Sequence, residues 1–102
     1  MEMRLGHLSQ IPPGEGRNFE AEGRRIAVFH TRDGEVFATQ AECPHKGGTL
    51  ADGLTDNCQV ICPLHDRAYD FRTGTGIGND NRIEVYPARV TGDGTVVVQL
   101  PR

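Results

Sequence analysis

Apolar residues in this chain come in short runs, and most of those runs alternate. Residues 24–31 read Arg-Arg-Ile-Ala-Val-Phe-His-Thr, rich in β-branched and aromatic side chains. A two-residue period sends Ile26 and Val28 to one side and Ala27 and Phe29 to the other, so both faces of this strand are expected to be covered. Asp33-Gly34 marks a tight turn, and residues 35–39 return as the hairpin partner. Ile83-Glu84-Val85-Tyr86 also alternates, and Asp93-Gly94 turns the chain into a last strand over 95–100. Shorter strands are expected over 3–7, 17–21, 59–61 and 68–71, the last closed by Thr73-Gly74, with a surface loop over 11–16. Thirteen Gly and six Pro punctuate the chain, and the longest stretches free of both are ten residues. An average helix needs about 11–12, so the pattern predicts an all-β fold.

Composition narrows the class. At 102 residues the chain is expected to form a single domain over 1–102. Its net charge is −3, its only Lys is Lys46 and its Arg are scattered, which argues against a nucleic-acid partner. The longest apolar run spans 26–29, far short of the roughly 20 residues of a membrane-spanning helix, so no membrane partner is expected. The opening Met-Glu-Met-Arg-Leu-Gly-His lacks a charged-then-apolar signal pattern, and a cytoplasmic location is expected. Three Cys suit a disulfide framework poorly; in a cytoplasmic chain, Cys near His points to metal binding or catalysis. The apolar core is modest, and small cores often rely on a staple such as a metal.

The candidate chemistry lies in two loops. The first reads Cys43-Pro44-His45-Lys46-Gly47-Gly48 and the second Cys62-Pro63-Leu64-His65. Each begins Cys-Pro, and proline stiffens a ligand loop by fixing φ. Gly47 and Gly48 allow positive φ and close backbone approach to a buried anionic centre. Two thiolates and two imidazoles can hold either a tetrahedral zinc or a 2Fe–2S cluster with Cys on one iron and His on the other. Zinc sites usually pair Cys with Cys and His with His, whereas each loop here mixes the two.

These motifs, followed by Tyr69-Asp70-Phe71-Arg72-Thr73-Gly74, resemble the Rieske iron–sulfur family. The resemblance covers roughly residues 4–100, with the cluster-binding part about 43–74. It implies a small domain of stacked antiparallel sheets with two cluster-binding loops. Cys43 and Cys62 would ligate the inner iron of one 2Fe–2S cluster, and His45 and His65 the outer iron. The function implied is one-electron transfer, with no catalytic site of the protein's own. Because the oxidised core with two thiolates is neutral, His ligation raises the potential relative to four thiolates. In the high-potential respiratory branch, each loop carries an extra Cys, the two forming a disulfide, and a Ser donates to a cluster sulfur. Gly48 and Leu64 stand in place of those Cys and the Ser is missing, so a low-potential member is expected.

The flanking segments 26–29, 33–38 and 85–90 are most similar to the small subunit of assimilatory NAD(P)H nitrite reductase. That resemblance implies a large flavin and sirohaem subunit as redox partner. A ferredoxin serving an aromatic-ring-hydroxylating dioxygenase, partnered by a reductase and an oxygenase, is the alternative. A zinc-stabilised interaction module is the third reading. One departure stands out: the family's usual Gly or Asn and then aromatic residue after the second His is Asp66-Arg67 here. Asp66 would disfavour reduction by placing a negative charge near the cluster. Cys58 reads as an ordinary thiol, His7 and His30 as bystanders, and Gly74-Thr75-Gly76-Ile77-Gly78 as a plain turn. Asp52, Asp56, Asp66, Asp70 and Asp80 form a solvated face or a docking patch for a basic redox partner.

Overall fold

A computed structural model describes residues 1–44, 47–64 and 66–101. Eleven strands are found among them, and no α-helix. Three antiparallel sheets result. The first joins β1 (Glu2–His7), β11 (Thr95–Gln99) and β10 (Ala88–Val90) in the order β1-β11-β10. The second joins β2 (Glu15–Ala21), β3 (Arg24–His30), β4 (Val36–Gln40) and β9 (Val85–Tyr86), in that order. The third joins β5 (Leu54–Thr55), β6 (Gln59–Ile61), β7 (Ala68–Asp70) and β8 (Gly76–Ile77), also in chain order. Single turns of 3-10 helix occur at Leu8–Gln10 and Leu50–Asp52.

The two-faced reading of β3 explains how the sheets pack. Ile26 and Val28 lie in a core with Ile11, Ala21, Ala38, Val96, Val98 and Leu100, between the first two sheets. Ala27 and Phe29 lie in a separate core with Cys43, Leu50, Val60, Cys62, Tyr69, Phe71 and Ile83. One strand thus walls two hydrophobic layers, and its four central residues are fully buried. The turns 31–35 and 91–95 are built alike. In both, a Thr hydroxyl donates to the Asp two residues on (Thr31 to Asp33, Thr91 to Asp93). The Gly that follows, Gly34 or Gly94, takes positive φ, 91° and 89°.

Some elements differ from the sequence expectation. The segment 11–16 is not all surface loop: Ile11 is buried, and Glu15 already pairs with His30. The strand expected over 83–86 is only Val85–Tyr86, and Ala88–Val90 beyond Pro87 belongs to a different sheet. Pro87 has no N–H to continue a ladder, so the chain changes sheets there. Strands β5 and β8 have two residues each, too few to show a period.

On the outer face of the third sheet, register aligns Leu54, Ile61, Ala68 and Ile77 in one row. The inner row, Thr55, Val60, Tyr69 and Gly76, faces the second core.

Candidate metal centre

Both Cys-Pro loops are six-residue connections closed by a paired residue on each side. Glu42 bridges Thr49 around residues 43–48, and Ile61 pairs with Ala68 around residues 62–67. In each, the leading Cys donates its N–H to the carbonyl of the sixth loop residue, Cys43 to Gly48 and Cys62 to Arg67, both at 2.7 Å. In each, the fifth residue takes the left-handed conformation: Gly47 at φ 69° and Asp66 at φ 54°. The same closure is therefore made twice among the described residues, once with a glycine and once with an aspartate, a residue that tolerates this region at a cost of about 1 kcal/mol.

The loops deliver Cys43 and Cys62 to one place. They are 2% and 0% exposed, members of one core, and both free thiols. The Cys62 thiol is pushed up from its ordinary pKa chiefly by burial; the Leu64 backbone N–H pulls it back, and the Cys43 thiol beside it adds a further upward push. Gly48 explains how the approach is possible. A Cβ there would stand 2.9 Å from Cys62 Sγ and 3.1 Å from Leu64 Cγ. So the two glycines divide the work, Gly47 supplying positive φ and Gly48 supplying space, and Leu64 packs over Gly48 to join the loops.

Tyr69 completes the described part of the site. It is fully buried on the inner row, and its hydroxyl lies 3.2 Å from Cys43 Sγ. Burial, then the Cys43 contact, pushes its pKa up to about 12. The phenol therefore keeps its proton, and opposite a Cys43 thiolate that proton is the one available for the contact with sulfur. The sequence reading placed Tyr69 in a strand and missed this role. The available signal was that an inward-facing Tyr needs a partner for its hydroxyl.

His45 and His65, the other two expected ligands, lie outside the described residues, as does Lys46. Cys58 is exposed, on the turn into β6, and belongs to neither loop. His7 is engaged elsewhere, with Ser9 Oγ and the Asp93 carbonyl, and His30 with the Ile11 carbonyl. Among the described residues no three His, Cys, Asp or Glu side chains gather into another metal site.

Two adjacent buried thiols with no disulfide between them are an unstable arrangement as thiolates unless positive charge compensates them. Soft sulfur donors in a dry pocket suit zinc or iron–sulfur centres. The donor set therefore fits a cluster that takes two thiolates from the protein interior.

A small all-β domain with paired Cys-Pro loops and two buried thiols defines a metal-centre protein of the iron–sulfur or zinc kind. Residues 1–87 match the family model described as the Rieske 2Fe-2S domain. This chain belongs to that family, and its cofactor is one 2Fe–2S cluster. It is 34% identical over 96 residues to the 3-phenylpropionate/cinnamic acid dioxygenase ferredoxin subunit of Photorhabdus laumondii, covering 91% of this chain and 89% of that one. It is similar in structure to a ferredoxin of Sphingomonas yanoikuyae B1, with a TM-score of 0.85 and 31% identity over 99% of this chain and 100% of the other. A Mycobacterium tuberculosis protein assigned as an NADH-dependent nitrite reductase small subunit shares the fold. Its TM-score is 0.90 at 24% identity, covering 100% of this chain and 97% of that one. Among the described residues no helix is long and apolar enough to cross a membrane.

Proposed function

We propose that this protein is a low-potential one-electron carrier, and that Cys43, His45, Cys62 and His65 hold its cluster. The observation that carries the reading is the pair of buried thiols presented by two loops closed in the same way. The cluster supplies reversible one-electron chemistry. The chain's own residues hold it and exclude water from its inner half: Leu50, Val60, Tyr69 and Phe71 are buried around the thiols. The outer end of the second loop is open, with Leu64 43% exposed, which leaves that edge for a redox partner.

Two systems are in view. A ferredoxin feeding a ring-hydroxylating dioxygenase is favoured by sequence identity above 30% with such a ferredoxin subunit over nearly the whole chain. A nitrite reductase small subunit is supported by the full-length structural likeness and by the segment Val85-Tyr86-Pro87-Ala88-Arg89-Val90. The discriminating experiment is isolation of the native complex, with potentiometry on the anaerobically purified protein. Co-purification with an oxygenase or its reductase supports the first system, and with a sirohaem subunit the second. A midpoint in the lower half of the roughly −150 to +300 mV range of His-ligated clusters is expected. Zinc in place of iron would overturn the reading as a carrier.

Tyr69 makes a sharper test. Its O–H favours the more negative, reduced state, because hydrogen bonds to charged groups are the stronger ones. Tyr69→Phe removes only that donor. The expected result is a potential about 60 mV lower, roughly a tenfold fall in the one-electron reduction constant, with iron content unchanged. Protein-film voltammetry of the two proteins reads it directly.

A further inference from the structure

Arg67 holds a donor that the protein leaves unused. Its Nε is buried and has no hydrogen-bond acceptor, the one such side-chain atom among the described residues. Leaving a buried donor unmade costs about 1–3 kcal/mol, and native structures contain few. The guanidinium has donors and no acceptor and stays charged. No carboxylate relieves it: the ion pairs among the described residues are Arg4–Asp93, Arg17–Glu15, Arg72–Glu35 and Arg89–Glu2.

Register says where this donor sits. The Arg67 carbonyl accepts from Cys62 N–H, so the two residues face each other one step beyond the Ile61–Ala68 pair. Ala68 belongs to the outer row and Tyr69 to the inner one. Alternation returns Arg67 to the inner side, the side of Cys62 and of Tyr69, whose hydroxyl reaches the other thiol. The unpaired N–H is thus buried at the loop end of the face that carries Cys62 and Tyr69.

We propose that Arg67 Nε–H donates to a sulfur of the bound cluster and raises its potential. This rests on the cluster reading above. The donor and its positive charge stabilise the reduced centre, which carries one more negative charge, above the oxidised one. Arg67 thereby offsets the carboxylate that Asp66 places beside it, and Tyr69 and Arg67 act on the centre from neighbouring inner positions.

The test compares the parent protein with Arg67→Met and Arg67→Lys, each purified anaerobically. Midpoint potentials are measured over a salt series, and hyperfine couplings of exchangeable protons are measured on the reduced proteins after deuterium exchange. Arg67→Met is expected to lower the reduction constant about tenfold, equal to about 59 mV for one electron. The shift should persist at high salt, because buried interactions are screened little. One exchangeable proton coupling should vanish, while iron content stays close to the parent and the melting temperature of the apo-protein does not fall, because Met relieves the unpaired donor there. Arg67→Lys, which keeps the charge but lacks the planar fork, should fall between the two. A change under twofold, a shift that disappears at high salt, or an unchanged set of exchangeable couplings overturns the proposal. A parent protein that binds no cluster overturns the cluster reading itself, so the two failures are distinguishable.

Discussion

Cys62→Ser is expected to yield a chain that assembles no cluster. The position is fully buried, between Val60 on the strand before it and the tip of a loop whose geometry depends on the Cys62 N–H. A serine hydroxyl holds its proton far more tightly than a thiol and is a hard oxygen donor, a poor match for iron in a sulfur-rich centre. The apo form also loses packing: the hydroxyl sits where sulfur met Gly48 and the core, and an unpaired buried hydroxyl costs about 1–3 kcal/mol. Iron and acid-labile sulfide should fall to background, the visible spectrum should be lost, and the melting temperature should fall below that of the holoprotein. A variant retaining a full cluster would overturn Cys62 as a ligand.

The second large effect lies away from the cysteines. Gly74 is buried and holds φ at +77°, and a Cβ there would stand 2.0 Å from the Ile83 carbonyl oxygen and 3.2 Å from its carbon. Both are backbone atoms that are themselves tied, because Ile83 N–H donates to the Gly74 carbonyl while Gly74 N–H donates to Asp70. Neither side can yield without breaking the turn that closes β7 and positions Phe71 and Ile83 in the second core. Gly74→Ala should cost at least about 3 kcal/mol, placing it among the severe single substitutions. In a domain of this size that lowers the melting temperature by about 12 °C or more. Gly78→Ala is the control. Its φ is also positive, +76°, yet a Cβ would meet nothing within 4 Å. It should cost only the backbone strain, about 1 kcal/mol. Equal losses in thermal melts of the two variants would show that backbone strain, and not the clash with Ile83, sets the cost at Gly74.

The long strands and the cysteine loops were legible from the chain, for different reasons. β3 shows because its period of two is written in strong β-formers on both faces. The loops show because Cys-Pro with a nearby His is a rare local pattern. The likeness of the two loops to each other was hidden, because the left-handed position is Gly47 in one and Asp66 in the other, and only a glycine advertises that conformation. Tyr69 and Arg67 were read as strand and departure, since their inward direction depends on cross-strand register, which no local pattern states. Ile11 was assigned to the surface because Pro12, Pro13 and Gly14 surround it with loop signals, although tertiary packing buries it.

The double-faced β3 also has a consequence for how the molecule comes apart. The core holding Ile26 and Val28 contains no cysteine, while the core holding Ala27 and Phe29 contains both buried ones. Removing iron withdraws support from one layer only, so that layer is expected to open while the other stays closed. In hydrogen exchange, amides of β6 and β7 should lose protection on cluster removal. Those of β1 and β11 should keep theirs, leaving a half-folded carrier ready to accept iron again without refolding from the start.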